Sequence, residues 1–218
     1  LGSDKCKRWY SDGAPELHAA CKDLGILHDK ATPDRHETNG VVERANRTMI
    51  EGTAVVLFQS GLPHKYWPEA MRCFCQMYNI THEVEGSKTP WTLRKGEKFT
   101  GVLLPFGSKV YYRPSAIAEL QKQPKFGSKL REGLFFGYAL GNGGSWSSKD
   151  YLVVDRDAFC SKRMDHQRRA GIHRVKEIEV PGSRANDGEP RIQFPVAKGI
   201  WKEYNPNMLP VQHSGLPW

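Results

Sequence analysis

Two carboxylates, Asp12 and Glu43, lie where a strand is predicted to end and where a long helix is predicted to begin. Carboxylate oxygens are the ligands that Mg²⁺ prefers, because it is a small, hard cation. Two such ions about 4 Å apart can stabilise the attacking and leaving oxygens of an in-line phosphoryl displacement. The pair is therefore a candidate metal site for phosphodiester chemistry, although one Asp and one Glu alone are a weak signal.

The helix that carries Glu43 is predicted to run from Val41 to Ser60. Asn39 is a suitable N-cap residue, and Gly61 is a suitable stop. Glu43 falls in the first turn, where the positive end of the helix dipole favours an ionised, metal-binding carboxylate. The sequence therefore places this carboxylate at a defined point on a rigid element.

Asn46 and Arg47 follow Glu43 by three and four residues, so all three share one helix face. On an active-site helix, this face presents polar and basic groups next to the metal ligand. An ordinary solvated face with a Glu43–Arg47 ion pair explains the same spacing. Both interpretations stay open at this point.

Shorter periodic segments surround the long helix and predict a mixed α/β unit. They are a strand at Lys7 to Ser11, a helix at Ala14 to Leu24, a strand at Ile26 to Ala31 and a second long helix at His64 to Ile80. This order is typical of the C-terminal part of a ribonuclease-H-like core. We expect that core to occupy residues 1–82.

The pattern changes after Ile80, and two further regions are predicted. A polar connection runs from His82 to Gly101. Short antiparallel strands are then expected within Val102 to Arg113, Leu134 to Leu140 and Tyr151 to Phe159, which gives a small β module at 83–160. Basic pairs and Pro/Gly-rich stretches predict a flexible tail at 161–218.

The formal net charge of +8 and the sequence pI of about 9.3 suit a nucleic-acid partner, because basic clusters release counterions from phosphate. Other basic proteins share this composition, so charge alone does not decide. No run approaches the about 20 apolar residues of a membrane span, and no signal peptide opens the chain. We expect a soluble, intracellular protein without a membrane partner.

Cysteine, histidine and aromatic residues give weaker signals. Cys73 and Cys75 point to different sides of a helix and make a poor zinc pair, so buried reduced thiols are predicted. The three residues His18, His28 and His36 lack ligand spacing and are predicted to be ordinary histidines. Tyr66 and Trp67 could stack on bases, but their helical spacing favours packing in the core.

Seven blocks of sequence resemble copia-type retrotransposon integrases, which are members of the retroviral integrase superfamily. The blocks are Trp9 to Gly13, Leu24 to Ile26 with Thr32-Pro33, Asn39 to Arg44 with Asn46 to Thr48, Tyr66 to Ala70, Lys88 to Pro90 with Phe106-Gly107, Gly133 to Tyr138, and Asp155 to Phe159. They occur in the family's order over roughly residues 7 to 160. The resemblance identifies the chain as a fragment of a retrotransposon Pol polyprotein.

The resemblance implies that Asp12 and Glu43 are the second and third of three catalytic carboxylates, which hold two Mg²⁺ or Mn²⁺ ions. It implies that Asn39, Asn46 and Arg47 contact DNA. The parent would join element ends to target DNA in the nucleus, as a homo-oligomer. The β module, with basic residues such as Lys109, Arg113, Lys122, Lys125, Lys129 and Arg131, would bind DNA or hold the multimer together; solvated charges explain these residues equally well.

The family's first catalytic Asp lies on an earlier strand, and few residues precede Asp12 here. The family's amino-terminal zinc-binding module is also absent. We therefore expect an integrase fragment with an incomplete active site, whose own enzymatic activity is uncertain. The alternatives are a non-catalytic DNA-binding or assembly module and a basic structural or interaction protein.

Overall fold

The computed structural model describes residues 5–11, 14–30, 40–114, 129–141, 144–161, 170–182 and 192–203. It has a mixed α/β architecture with a two-stranded parallel sheet and a five-stranded antiparallel sheet. The sequence-based prediction of a mixed α/β chain with an antiparallel β module is confirmed. In the described part of the chain, no helix is long and apolar enough to cross a membrane.

The first unit is a strand–helix–strand arrangement. Strand β1 (Arg8–Ser11) is followed by helix α1 (Pro15–Asp23) and strand β2 (Leu27–Lys30), and the strands pair in parallel. Gly25 adopts a φ of 65°, a left-handed conformation that favours glycine and ends the helix. The three predicted elements are present with bounds shifted by one residue.

Two long helices follow and cross closely. Helix α2 runs from Gly40–Ser60, and helix α3 runs from Trp67–Thr81 after a short 3₁₀ turn. Gly61 ends α2 with a φ of 71°, as the sequence predicts. A Cβ atom added at Gly52 would lie 2.0 Å from Cζ of Phe74, so the absent side chain permits this crossing.

A short helix, α4 (Pro90–Lys95), lies within the segment for which the sequence predicts a polar connection. Pro90 occupies its first turn, and the hydroxyl oxygen of Thr89 accepts a hydrogen bond from the backbone N–H of Thr92. Gly96 ends it in the left-handed conformation. The prediction of a loop is wrong here, because Pro90 begins a helix and Gly96 ends it.

The antiparallel sheet has the spatial order β6-β5-β4-β3-β7. Its strands are β3 (Lys109–Tyr112), β4 (Arg131–Tyr138), β5 (Tyr151–Asp155), β6 (Ile172–Val175) and β7 (Ile178–Glu179); a single helical turn, α5 (Arg156–Phe159), follows β5. Both edge strands come from the region for which a flexible tail is predicted. The prediction of a flexible tail is wrong for these two strands. Most of their side chains are exposed or only partly buried, so their sequences lack the apolar alternation that predicts a strand.

Residues 192–203 also pack against the sheet. The backbone N–H of Lys109 donates to the carbonyl of Gln193 at 2.8 Å, and the side chain of Trp201 is buried. The hydroxyl of Tyr66 donates to Oε1 of Glu203 at 3.2 Å. The prediction of a flexible tail is therefore wrong for this segment as well.

One hydrophobic core joins the two long helices to the antiparallel sheet. At its centre, Phe136 of β4 meets the ring of Tyr66 edge-on at 5.3 Å and that of Phe106 at 4.8 Å. The side chain of Cys73 on α3 faces Gly137 of β4. The core therefore contains residues from both sides of the boundary between residues 82 and 83, where the sequence predicts a change of domain.

The thiol of Cys73 gives a first testable prediction. Cys73 is buried, and burial raises the pKa of its thiol to about 12, so the reactive thiolate is scarce at neutral pH. We expect Cys73 to resist iodoacetamide in the native protein at pH 7.5 and to react once urea unfolds the chain. Peptide mass spectrometry with the half-buried Cys6 as internal control measures this, and equal native labelling of both thiols would contradict the packing of α3 on β4.

The polar face of helix α2 as a candidate nucleic-acid interface

The first two turns of α2 present a polar face. Glu43 lies in the first turn, and the side chains of Glu43, Asn46 and Arg47 are all exposed. Their spacing of three and four residues places them on one side of the helix. The face therefore combines an acceptor-only carboxylate with an amide and a guanidinium.

Glu43 and Arg47 do not form the ion pair that the sequence left as an ordinary explanation of their spacing. Every salt bridge to Glu or Asp within the described residues involves other side chains. Arg47 therefore does not neutralise Glu43. Both charged groups remain directed to solvent, where a ligand can reach them.

Two of the predicted site residues, Asp12 and Asn39, lie outside the described residues. Strand β1 ends at Ser11, and the placement of Asp12 stays a prediction. Within the described ranges, no three His, Cys, Asp or Glu side chains form a group that could hold a metal ion. The donor chemistry of Glu43 fits Mg²⁺, and the fit of the Asp12–Glu43 pair stays a prediction.

Two of the three histidines come together, which the sequence did not predict. The Nδ1 atoms of His18 on α1 and His28 on β2 lie 3.4 Å apart, and Ser11 Oγ lies 2.9 Å from Nε2 of His28. His36 lies outside the described residues. The contact between the histidines depends on the packing of α1 beside β2, and that of Ser11 with His28 on the pairing of β1 with β2; sequence spacing reveals neither.

Several basic residues of the β module serve the fold. Lys109 forms an ion pair with Glu132, and Nη2 of Arg131 lies 3.1 Å from Oδ2 of Asp155. The buried Asp155 also accepts a hydrogen bond from the hydroxyl of Tyr112 at 2.6 Å. Lys122 and Lys125 lie outside the described residues. Lys109 and Arg131 therefore have intramolecular partners.

The aromatic pair at the start of α3 divides between core and surface. Tyr66 is fully buried, as predicted, whereas Trp67 is 53 % exposed, so the prediction of core packing is wrong for Trp67. Trp67 lines an open, largely apolar groove of about 1060 Å³ between α2 and α3, together with Phe58 and Met71. The groove lies beside the C-terminal part of α2, beyond the first two turns that carry the polar face.

Comparison with known proteins supports a retrotransposon relationship. The chain is 30% identical over 143 residues to the retrovirus-related Pol polyprotein from transposon TNT 1-94 of Nicotiana tabacum. The match covers 62% of this chain and 10% of that protein, so the chain spans about a tenth of the length of this relative. No family model matches the chain.

The class of protein to which the chain is similar is therefore that of retrotransposon products. The particular similarity is to a Pol polyprotein, which confirms at that level the resemblance carried by the sequence blocks. Among solved structures, a simian T-cell lymphotropic virus intasome in complex with PP2A regulatory subunit B56 gamma is similar at 17% identity, with a TM-score of 0.36. That match covers 79% of this chain and 57% of the other, and a TM-score of this size supports no further argument.

Proposed function

We propose that the chain is an integrase-derived, DNA-binding part of a retrotransposon Pol polyprotein. The observation that carries this proposal is the exposed Glu43, Asn46 and Arg47 face of α2, with no ion pair between Glu43 and Arg47. In a longer polypeptide, the β1–α1–β2 unit and α2 would form part of a ribonuclease-H-like core. Activity in strand transfer, oligomer formation and a nuclear location belong to that parent as proposals.

Glu43 and Asp12 would hold the divalent ions in the parent. Bound Mg²⁺ or Mn²⁺ would activate the attacking hydroxyl and stabilise the leaving oxygen of the phosphodiester. The role of Glu43 would be to place a carboxylate in the first turn of α2, on a rigid element. Asn46 and Arg47 would orient the DNA end through its phosphates, because the guanidinium donates to phosphate oxygens in a fixed geometry.

The binding role of α2 can be tested on this chain with Arg47→Ala. We expect weaker binding to a fluorescein-labelled DNA duplex, and a salt slope that becomes shallower by about one unit for one lost phosphate contact. Fluorescence anisotropy at several salt concentrations measures both quantities. Arg72→Ala is the matched control, because Arg72 is an exposed arginine that lies on α3 and not on α2.

The comparison of the two variants shows whether DNA binding depends on the α2 face or on net positive charge alone. Loss of binding in Arg47→Ala but not in Arg72→Ala supports the proposed face. Equal effects of the two changes mean that net charge and not the α2 face attracts DNA. Absence of salt-dependent binding by the unmodified chain overturns the proposal and leaves a basic interaction protein.

A further inference from the structure

A second basic site lies on the other part of the molecule, between α4 and the turn that precedes β5. It is a cleft of about 200 Å³. Its wall is formed by the aromatic rings of Trp91, Phe99 and Trp146, and its rim carries Lys95, Lys98 and Lys149. These lysines are not among the basic residues that the sequence singled out.

The aromatic wall is rigid. Phe99 packs edge-on against Trp91 at 5.2 Å, and its ring lies tilted against that of Trp146 at 4.7 Å. Both tryptophans are buried, and the indole N–H of Trp146 donates to the carbonyl of Asp150 at 2.9 Å. The rings thus hold α4 and the turn before β5 at a fixed distance from each other.

The wall also contains a donor with unmet hydrogen-bonding capacity. Trp91 is 9 % exposed, and its Nε1–H has no hydrogen-bond partner in the described part of the chain. A buried donor without an acceptor is unfavourable. This N–H is itself inaccessible, so the groups that the cleft offers to an anion are the lysines of its rim.

The rim has an excess of positive charge that intramolecular ion pairs within the described residues do not neutralise. Within the described residues, Lys95, Lys98 and Lys149 form no ion pair, in contrast to Lys109 in the sheet. The ammonium of Lys95 lies 6.0 Å from the centre of the Trp91 ring. Glu97 is the acidic residue of the lining. The cleft therefore presents more cationic than anionic groups to solvent.

Lys149 is held in place by an unusual backbone. Its φ of 53° is a left-handed conformation, which is unfavourable for a residue other than glycine. The turn contacts the residue that follows β6, since Nζ of Lys176 donates to the carbonyl of Ser148 at 2.6 Å and pairs with Asp150 at 2.8 Å. The backbone that carries Lys149 is thus positioned by these contacts, and its side chain is exposed where an anion can reach it.

We propose that this cleft binds the phosphate backbone of DNA, with Lys95, Lys98 and Lys149 as the cationic contacts. Phosphate oxygens supply both the negative charge that the rim lacks and the acceptors that its donors need. The buried rings provide packing and not a base-stacking surface. This inference rests on the proposed DNA-binding function and adds a second contact region, distant in sequence from the α2 face.

The triple variant K95A/K98A/K149A tests the proposal in the full chain. We expect binding to a labelled DNA duplex to weaken by about tenfold or more, and the salt slope to become shallower by about two to three units. The control variant K88A/K198A/K202A removes the same charge from exposed lysines outside the cleft. Urea unfolding midpoints establish that both variants stay folded.

A footprint on the unmodified protein gives a second measurement. Saturating DNA should protect Lys95, Lys98 and Lys149 from acetylation and leave Lys88 and Lys198 reactive, as read by mass spectrometry. Equal loss of binding in both triple variants, or no protection of the three lysines, overturns the cleft and leaves the proposed function standing. Absence of DNA binding by the unmodified chain overturns both the cleft and the proposed function. If polyglutamate competes as well as DNA, the cleft binds polyanions in general and the assignment of DNA as its ligand is overturned.

Discussion

Glu43→Gln is expected to reduce strand transfer by about 1000-fold in a longer polypeptide that contains this chain and an upstream catalytic aspartate. Glutamine keeps the size of the side chain but removes the charge that a divalent ion requires. Loss of transition-state stabilisation by about 4 kcal/mol corresponds to this factor. A strand-transfer assay with labelled element ends in Mg²⁺ measures the effect.

DNA binding should be nearly unchanged in the same variant, because Glu43 is proposed to hold metal and not phosphate. Glu51→Gln is a suitable control, since Glu51 is exposed on the same helix and two turns further along. It should retain full activity. If Glu43→Gln lost binding and strand transfer in equal proportion, the carboxylate would position the DNA and the assignment as a metal ligand would fail.

The first five elements could be predicted from sequence because each has a local cause. Gly25 and Gly61 adopt the left-handed conformations that end α1 and α2, and the apolar spacing between such stops has a helical period. The exposed polar face of α2 follows from its spacing in the same way. Local signals of this kind do not depend on the rest of the chain.

The elements that the sequence missed depend on distant partners. Strand β6 buries only Val175 fully and is tied to β5 by backbone pairing, so its side chains carry no alternating pattern. The same applies to the cleft at Trp91, because its rim combines Lys95 with Lys149 from a turn far along the chain. Sequence analysis favoured Lys109 and Arg131, which the structure places in ion pairs.

Phe136→Ala is expected to destabilise the long helices and the antiparallel sheet together. Phe136 is 1 % exposed and contacts both Tyr66, before α3, and Phe106, before β3. Truncation of a buried Phe costs about 3 to 5 kcal/mol, because apolar contacts are lost and a cavity remains. A loss of this size is a large part of the total stability of a typical domain.

Urea unfolding followed by tryptophan fluorescence measures the expected decrease, and Phe58→Ala is the matched control. Phe58 is 90 % exposed on α2, so the same chemical change should alter the free energy of unfolding by less than about 0.5 kcal/mol. Because Phe136 belongs to a core that joins α3 to β4, hydrogen exchange should accelerate in both elements together. Faster exchange in β4 with unchanged protection in α3 would mean that the helices and the sheet fold as independent units.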